Sequence, residues 1–190
     1  MINKIAVKFL FSILFITVVT ACNKYKEFAD AEYPGEKVYM STSAKGIYDL
    51  SVIVNPYHIP TPDSAYRYVV DRQNNKLVIP LGVIRSGIVK SGEVNVTLGA
   101  AEDTVSSLIS EAVLAGVDLL ATTNYTFPEK IVIPANKDFA AFNVLVDLPY
   151  INANADKKLA FAITIRDANK EINDMYKTTI VLIEPSKLNL

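Results

Sequence analysis

A mainly β fold, two antiparallel layers packed face to face with one short crossover helix, is what this sequence of 190 residues predicts. Three observations lead there. Apolar and polar residues alternate over many short segments, turn-forming residues punctuate those segments, and a single segment carries helical spacing instead.

The chain opens with Lys4 and Lys8, continues through an apolar stretch from Phe9 to Val19, and closes that stretch on the small residues Thr20 and Ala21. This is the layout of an export signal. A membrane-spanning helix needs roughly 20 apolar residues and this uncharged run is about half that, so residues 1–21 are read as a removable leader. Val19-Thr20-Ala21-Cys22 resembles the bacterial lipobox, whose cysteine receives a diacylglyceryl group before cleavage in front of it. Cys22, the only cysteine in the chain, is therefore expected to become a lipidated N-terminus, to carry acyl chains such as palmitate, and to hold the protein on a lipid bilayer. Two or more acyl chains suffice for stable anchoring. The alternative, a free cysteine buried as a small hydrophobe, leaves the charged start, apolar centre and small residues unexplained. With no second cysteine there is no disulfide, and the domain must be held by its core.

Composition narrows the class further. The 19 Lys and Arg, less Lys4 and Lys8 of the leader, face 20 Asp and Glu, a formal charge of −3 for the exported part. That sign excludes nucleic acid as a partner. Residues 22–36, charged, aperiodic and closing on a Pro-Gly turn, read as a tether. Residues 37–185 are expected to form the β-sandwich, and 186–190 a C-terminal tail.

Strands are expected at VYM, YDLSVIV, YRYVV, KLVIPLGVI, NVTL, KIVI, FNVLVDL, KLAFAITIRD and KTTIVLI. Val94, Val96 and Leu98 alternate with Asn95 and Thr97, which puts the aliphatic side chains on one face. Phe142, Val144, Val146 and Leu148 repeat the pattern, as do Leu159, Phe161, Ile163 and Ile165, with Thr164 and Arg166 facing outward. Asn74-Asn75 suits a tight hairpin because asparagine tolerates positive φ, and Gly87, Gly92 and Asn169 mark further turns. Pro80 argues for an edge strand or a bulge, since it has no N–H to donate. In DTVSSLISEAVLAG, Val105, Leu108, Ile109, Ala112 and Val113 follow helical spacing, with Asp103 as the expected N-cap and Gly116 just past the end. Short alternating strands and one crossover fit an immunoglobulin-like sandwich.

The order of EKVYMSTSA, KLVIPLGVIRSG, EVNVTLGAAEDTVSSLI, LLATTNYTFPEKIVIPAN, FNVLVDL and AFAITI resembles a domain of unknown function from Bacteroidetes surface lipoproteins. The most telling part is Tyr125-x-x-Pro128 followed by Ile131-Val132-Ile133-Pro134-Ala135. The chain departs from that family's pattern at Asn136, where glycine is usual, and at Ala121 and Ala162, where proline is common. The resemblance implies a β-sandwich at the N-terminus of larger proteins, including endo-β-N-acetylglucosaminidase-like enzymes and polysaccharide-utilisation lipoproteins. It implies a module on a cell envelope and carries no active site to transfer; Asn23 after the cysteine, instead of Asp, points to the outer membrane, on its periplasmic face or at the cell surface.

Chemistry is sparse. His58 is the only histidine and lies in a Pro-rich loop with no nucleophile motif beside it, so neither a triad nor a metal site is expected and no cofactor is implied. Glu102-Asp103, the adjacent acidic pair, is explained by a helix start. Glycan binding would rest on Tyr57 and Tyr66, whose flat rings can stack on sugars, with Asn55, His58 and Asp63 supplying hydrogen bonds; packing into the sandwich competes for both tyrosines. Asp63-Ser64-Ala65 and Asp103-Thr104-Val105 match the short pattern that Bacteroidetes O-glycosylate, making Ser64 and Thr104 candidate acceptors. Two readings follow. One is a non-catalytic lipid-anchored module that binds glycan or assists outer-membrane glycan-uptake proteins; it expects an exposed aromatic platform. The other is a structural or adhesive envelope subunit acting through β-edge contacts, which expects a long uncovered strand edge.

Overall fold

The computed structural model describes residues 35–43, 46–51, 67–88 and 90–190. They fall in one compact unit, Gly35–Leu190. The chain runs through β1 (Lys37–Met40), β2 (Ile47–Asp49), β3 (Val69–Asp71), β4 (Lys76–Arg85) and β5 (Val94–Ala100) into helix α1 (Glu102–Ser110). It continues through β6 (Val117–Leu119), β7 (Tyr125–Thr126), β8 (Lys130–Ile133) and β9 (Phe139–Asp147) into helix α2 (Leu148–Ala153). It ends with β10 (Lys158–Ala168), β11 (Glu171–Ile172) and β12 (Thr178–Ile183).

Two sheets result. The first has the order β11-β1-β4-β9-β7 with β3 beside β4, and the second β2-β12-β10-β5-β8 with β6 beside β10. The long pairings β4–β9, β5–β10 and β10–β12 are antiparallel, while β1–β11, β6–β10 and β2–β12 are parallel. The alternation read from the sequence is what closes the sandwich. Leu77, Ile79, Leu81, Val144 and Val146 from the first sheet meet Val94, Val96, Leu159, Phe161, Ile163 and Val181 from the second in one buried cluster. Each such side chain contributes roughly 1.5–3 kcal/mol when withdrawn from water. Helix α1 lies on the outside of the second sheet, where Val105 packs with Ala160, Ala162 and Val117.

Turn chemistry follows the residues expected to supply it. Asn75 adopts φ of 53°, and Gly87, Gly92 and Asn136 also lie in the left-handed region. Asp71 accepts hydrogen bonds from the backbone N–H and side-chain amide of Asn74, which closes the β3–β4 hairpin.

Pro80 differs from expectation, for a local reason. It sits mid-strand in β4 opposite Asn143 of β9, neither at a sheet edge nor in a bulge. Arg85 N–H bonds to Asp138 at the start of β9, whereas Ser41 on the β1 side bonds to the carbonyl of Gly82. Odd residues of β4 therefore address β9, and even residues face the other way. On that other side β3 pairs only with residues 76–78 and β1 only with 83–85. The missing N–H of Pro80 points into the interval between them, where no strand among the described residues requires a donor.

The helical expectations also need correction. The N-cap position of α1 is Ala101, and Asp103 stands inside the first turn with Glu102; their charge still favours a helix N-terminus. The helix stops at Ser110, well before Gly116. Ala112 turns left-handed at φ 58° and Val113 is 58% exposed, because Leu114 N–H reaches back to the Leu108 carbonyl and Leu114 fills the core place instead. Leu148, expected in a strand, begins α2, where Pro149 at the helix start is well tolerated. Thr164 faces the outer side of the second sheet yet is buried, accepting a hydrogen bond from the Thr178 hydroxyl at 2.8 Å.

Candidate functional site

Cys22, Asn55, Tyr57, His58, Asp63, Ser64 and Tyr66, the residues singled out from the sequence, lie outside the described residues. What is described is the root of the segment carrying most of them. Ser51 donates its N–H and hydroxyl to the Asp49 carboxylate at 2.8 and 2.6 Å. Arg67 donates to the Asp49 carbonyl and stands 5.1 Å from the centre of the Tyr48 ring, a cation–π contact. Both ends of residues 52–66 are thus fastened to β2. Thr104, the remaining candidate, lies half-buried in the first turn of α1 beside the wholly buried Val105.

Among the described residues no three His, Cys, Asp or Glu side chains gather as a metal site, and no helix is long and apolar enough to cross a membrane. The outermost strands β2, β7, β8 and β11 are two to four residues long.

A groove of about 430 Å³ opens on the outer face of the second sheet, where β5 runs between β8 and β10. Its side chains follow from register. Thr97 of β5 is paired with Lys130 on one side and Asp167 on the other, and Asn95 is paired with Val132. Val94, Val96 and Leu98 face the core, so Asn95 and Thr97 must face out, with Lys130 and Val132 beside them.

Asp167 reaches this face only through a β-bulge. Ile165 is buried in the core, so strict alternation would send Arg166 outward and Asp167 inward. The register with β5 instead jumps between Ile165 and Asp167, and the extra residue re-aims the carboxylate to the outside. Arg166 lies along bare Gly99, where an added Cβ would stand 2.6 Å from its Nε, and donates to the Ala100 carbonyl. Beyond the bulge, Ala168 faces inward against the core. Asn169 accepts from Asn95 N–H at 3.0 Å and donates to the Glu93 carbonyl, which fixes the end of the groove.

Sequence reasoning placed Asn95 and Thr97 on an outer face and Asn169 in a turn but named none of these residues as a site, and the alternation rule predicts the wrong face for Asp167. The one available signal was Ile165-Arg166-Asp167-Ala168, where an apolar position follows two charged ones out of phase. Chemically, the groove offers an amide, a hydroxyl, an ammonium and a carboxylate around a half-exposed Val132. Asp167 is its single carboxylate. Acid–base hydrolysis of a glycoside needs two.

No curated protein matches the chain. Among solved structures, a Bacteroides ovatus protein described as a candidate carbohydrate-binding protein superposes with a TM-score of 0.52 at 12% identity, covering 77% of this chain and 36% of its own. A second Bacteroides ovatus protein, of unknown function, gives 0.51 at 18% identity, covering 78% and 45%. The chain thus spans less than half the length of either, and the likeness is one of fold. Residues 35–172 match the model of a family described as a "-like, N-terminal domain". The chain belongs to that family of N-terminal domains.

Proposed function

We propose that this protein is a non-catalytic, lipid-anchored envelope module that binds glycan as part of polysaccharide capture. The observation that carries the reading is a shallow groove on a rigid sheet, lined by hydrogen-bonding side chains with one carboxylate among them, which suits binding better than hydrolysis. The Lys4 to Cys22 leader supports an acylated attachment to the outer membrane, and the described role of the Bacteroides ovatus neighbour supports the ligand class. Tyr57 and Tyr66, with Asn55, His58 and Asp63, are proposed as a further set of glycan contacts, and Ser64 is the preferred O-glycan acceptor, since Thr104 is half-buried within a helix. The short outer strands give little support to an adhesive role through edge pairing.

Two experiments test this. Glycan-array binding by the soluble form lacking residues 1–22 is expected, with weaker binding after Tyr57→Ala or Tyr66→Ala; absence of any bound glycan refutes the function. Metabolic palmitate labelling should disappear in Cys22→Ser, and label that persists refutes the anchor.

A further inference from the structure

We infer that the groove over β5 is a subsite for an uncharged saccharide, with Asp167, Asn95 and Lys130 as its hydrogen-bonding residues; this rests on the glycan-binding reading. Three features point to an occupant. First, Asp167, Thr97 and Lys130 occupy one rung across three neighbouring strands. Strands about 4.8 Å apart place the carboxylate and ammonium strands roughly 10 Å from each other. The two charges do not close on one another, although eight other lysines among the described residues form ion pairs. Both line the groove without pairing with each other.

Second, the bulge exists at a cost in regular pairing, and what it achieves is the outward placement of Asp167. Arg166 is accommodated against Gly99, a residue without a side chain. Third, Val132 is 46% exposed beside Asn95 on the next rung, about 7 Å along the strands. The platform therefore combines a polar edge with an apolar floor, and a pyranose has the same division between its hydroxyl rim and its C–H face.

The charge balance selects the class. One cation and one anion leave the groove neutral, so a uronate or sulfated sugar would set its charge against Asp167 with a single compensating lysine. An uncharged sugar meets both: vicinal hydroxyls donate to the carboxylate in charge-assisted bonds, while Lys130 and the Asn95 amide donate to hydroxyl or ring oxygens. These groups stand on strands rather than on a loop, so little ordering accompanies binding.

The test uses the full chain in detergent micelles, titrated calorimetrically with cellopentaose, xylopentaose, mannopentaose and pentagalacturonate. Hydrogen–deuterium exchange is followed in peptides from β5, β8 and β10. At least one neutral oligosaccharide should bind and protect those peptides. Asp167→Asn and Lys130→Gln should each weaken it about tenfold, the scale of one lost charge-assisted hydrogen bond, and Asn95→Ala about fivefold, the scale of a neutral one, with unchanged circular dichroism. Neutral-sugar binding that is abolished by Tyr57→Ala yet unaffected by the three groove variants overturns the subsite and leaves the glycan-binding reading standing. Preference for pentagalacturonate overturns the subsite's class. If no sugar binds, both fall.

Discussion

The ring of Phe139 lies across Gly82 on the outer face of the first sheet, so that a β-carbon added at Gly82 would stand 2.3 Å from the ring's Cζ. The two residues sit on adjacent strands, Gly82 opposite Ala141 and Phe139 opposite Ile84, and the aromatic covers the space a side chain would take. Gly82→Ala should therefore destabilise the domain by about 1–3 kcal/mol, the usual scale of overpacking. With Phe139→Ala already present, the same substitution should cost clearly less, the remaining close neighbour being the Ala140 carbonyl oxygen at 3.1 Å. Urea denaturation of the two single variants and the double variant measures this coupling.

Deleting Arg166 is expected to remove the bulge in β10. Ile165, Asp167 and Ala168 would then follow one another against Leu98, Thr97 and Val96 in unbroken register, so alternation keeps Asp167 on the outer face and Ala168 inward. No carboxylate is buried by the deletion, so the expected loss is about 1 kcal/mol, the scale of the missing Arg166 bond to the Ala100 carbonyl. Chemical denaturation of the deletion variant beside Arg166→Ala, which keeps the bulge residue, separates the effect of the bulge from loss of the guanidinium; a deletion far less stable than Arg166→Ala would contradict this register.

Tyr48 and Tyr125 predict an alkaline limit. Burial pushes both phenols up to about 12; the nearby Arg67 opposes this at Tyr48, and the charge of Glu102 reinforces it at Tyr125. Their hydroxyls are buried without a hydrogen-bond partner among the described residues. A raised folded-state pKa means that stability is complete below the unfolded value of 10.0 and is lost as pH rises toward 12. The slope is at most about 1.4 kcal/mol per pH unit for each group. Tyrosinate absorbance should show both groups ionising late, and Tyr48→Phe with Tyr125→Phe should flatten melting temperature between pH 10 and 12.

Glu184 predicts the opposite limit. Its carboxylate is 9% exposed and bonds Lys187 at 2.7 Å, with Lys158 at 3.4 Å. The Lys187 bond, against the opposing effect of burial, holds its pKa below the usual carboxylate value. A depressed folded-state pKa contributes stability above the unfolded value of 4.5 that is lost as pH falls through the folded one. Melting temperature measured from pH 6 to pH 3 should fall less steeply in Glu184→Gln than in the unaltered protein, and equal slopes would contradict the assignment.

Much of the sandwich was legible before the structure. The strand alternations, the Asn74-Asn75 hairpin, the left-handed Asn136 and the helix after β5 are all local consequences of side-chain periodicity or of which residues tolerate positive φ. The short strands β6, β7 and β11 were not legible, since two or three residues carry no period and are held by long-range pairing alone. Helix α2 was hidden because Leu148 continues the apolar alternation of β9.

Periodicity in the sequence by itself determined that two β layers would share one core, since every long strand carries its buried face in its own residues. Tertiary pairing alone decided where Pro80 could lie and which way Asp167 would point. Both depend on the neighbour: an unpaired interval in one sheet excuses the missing N–H, and a one-residue shift against β5 brings a carboxylate to the surface. The candidate site belongs to that second class, because register is a relation between strands that no single segment contains.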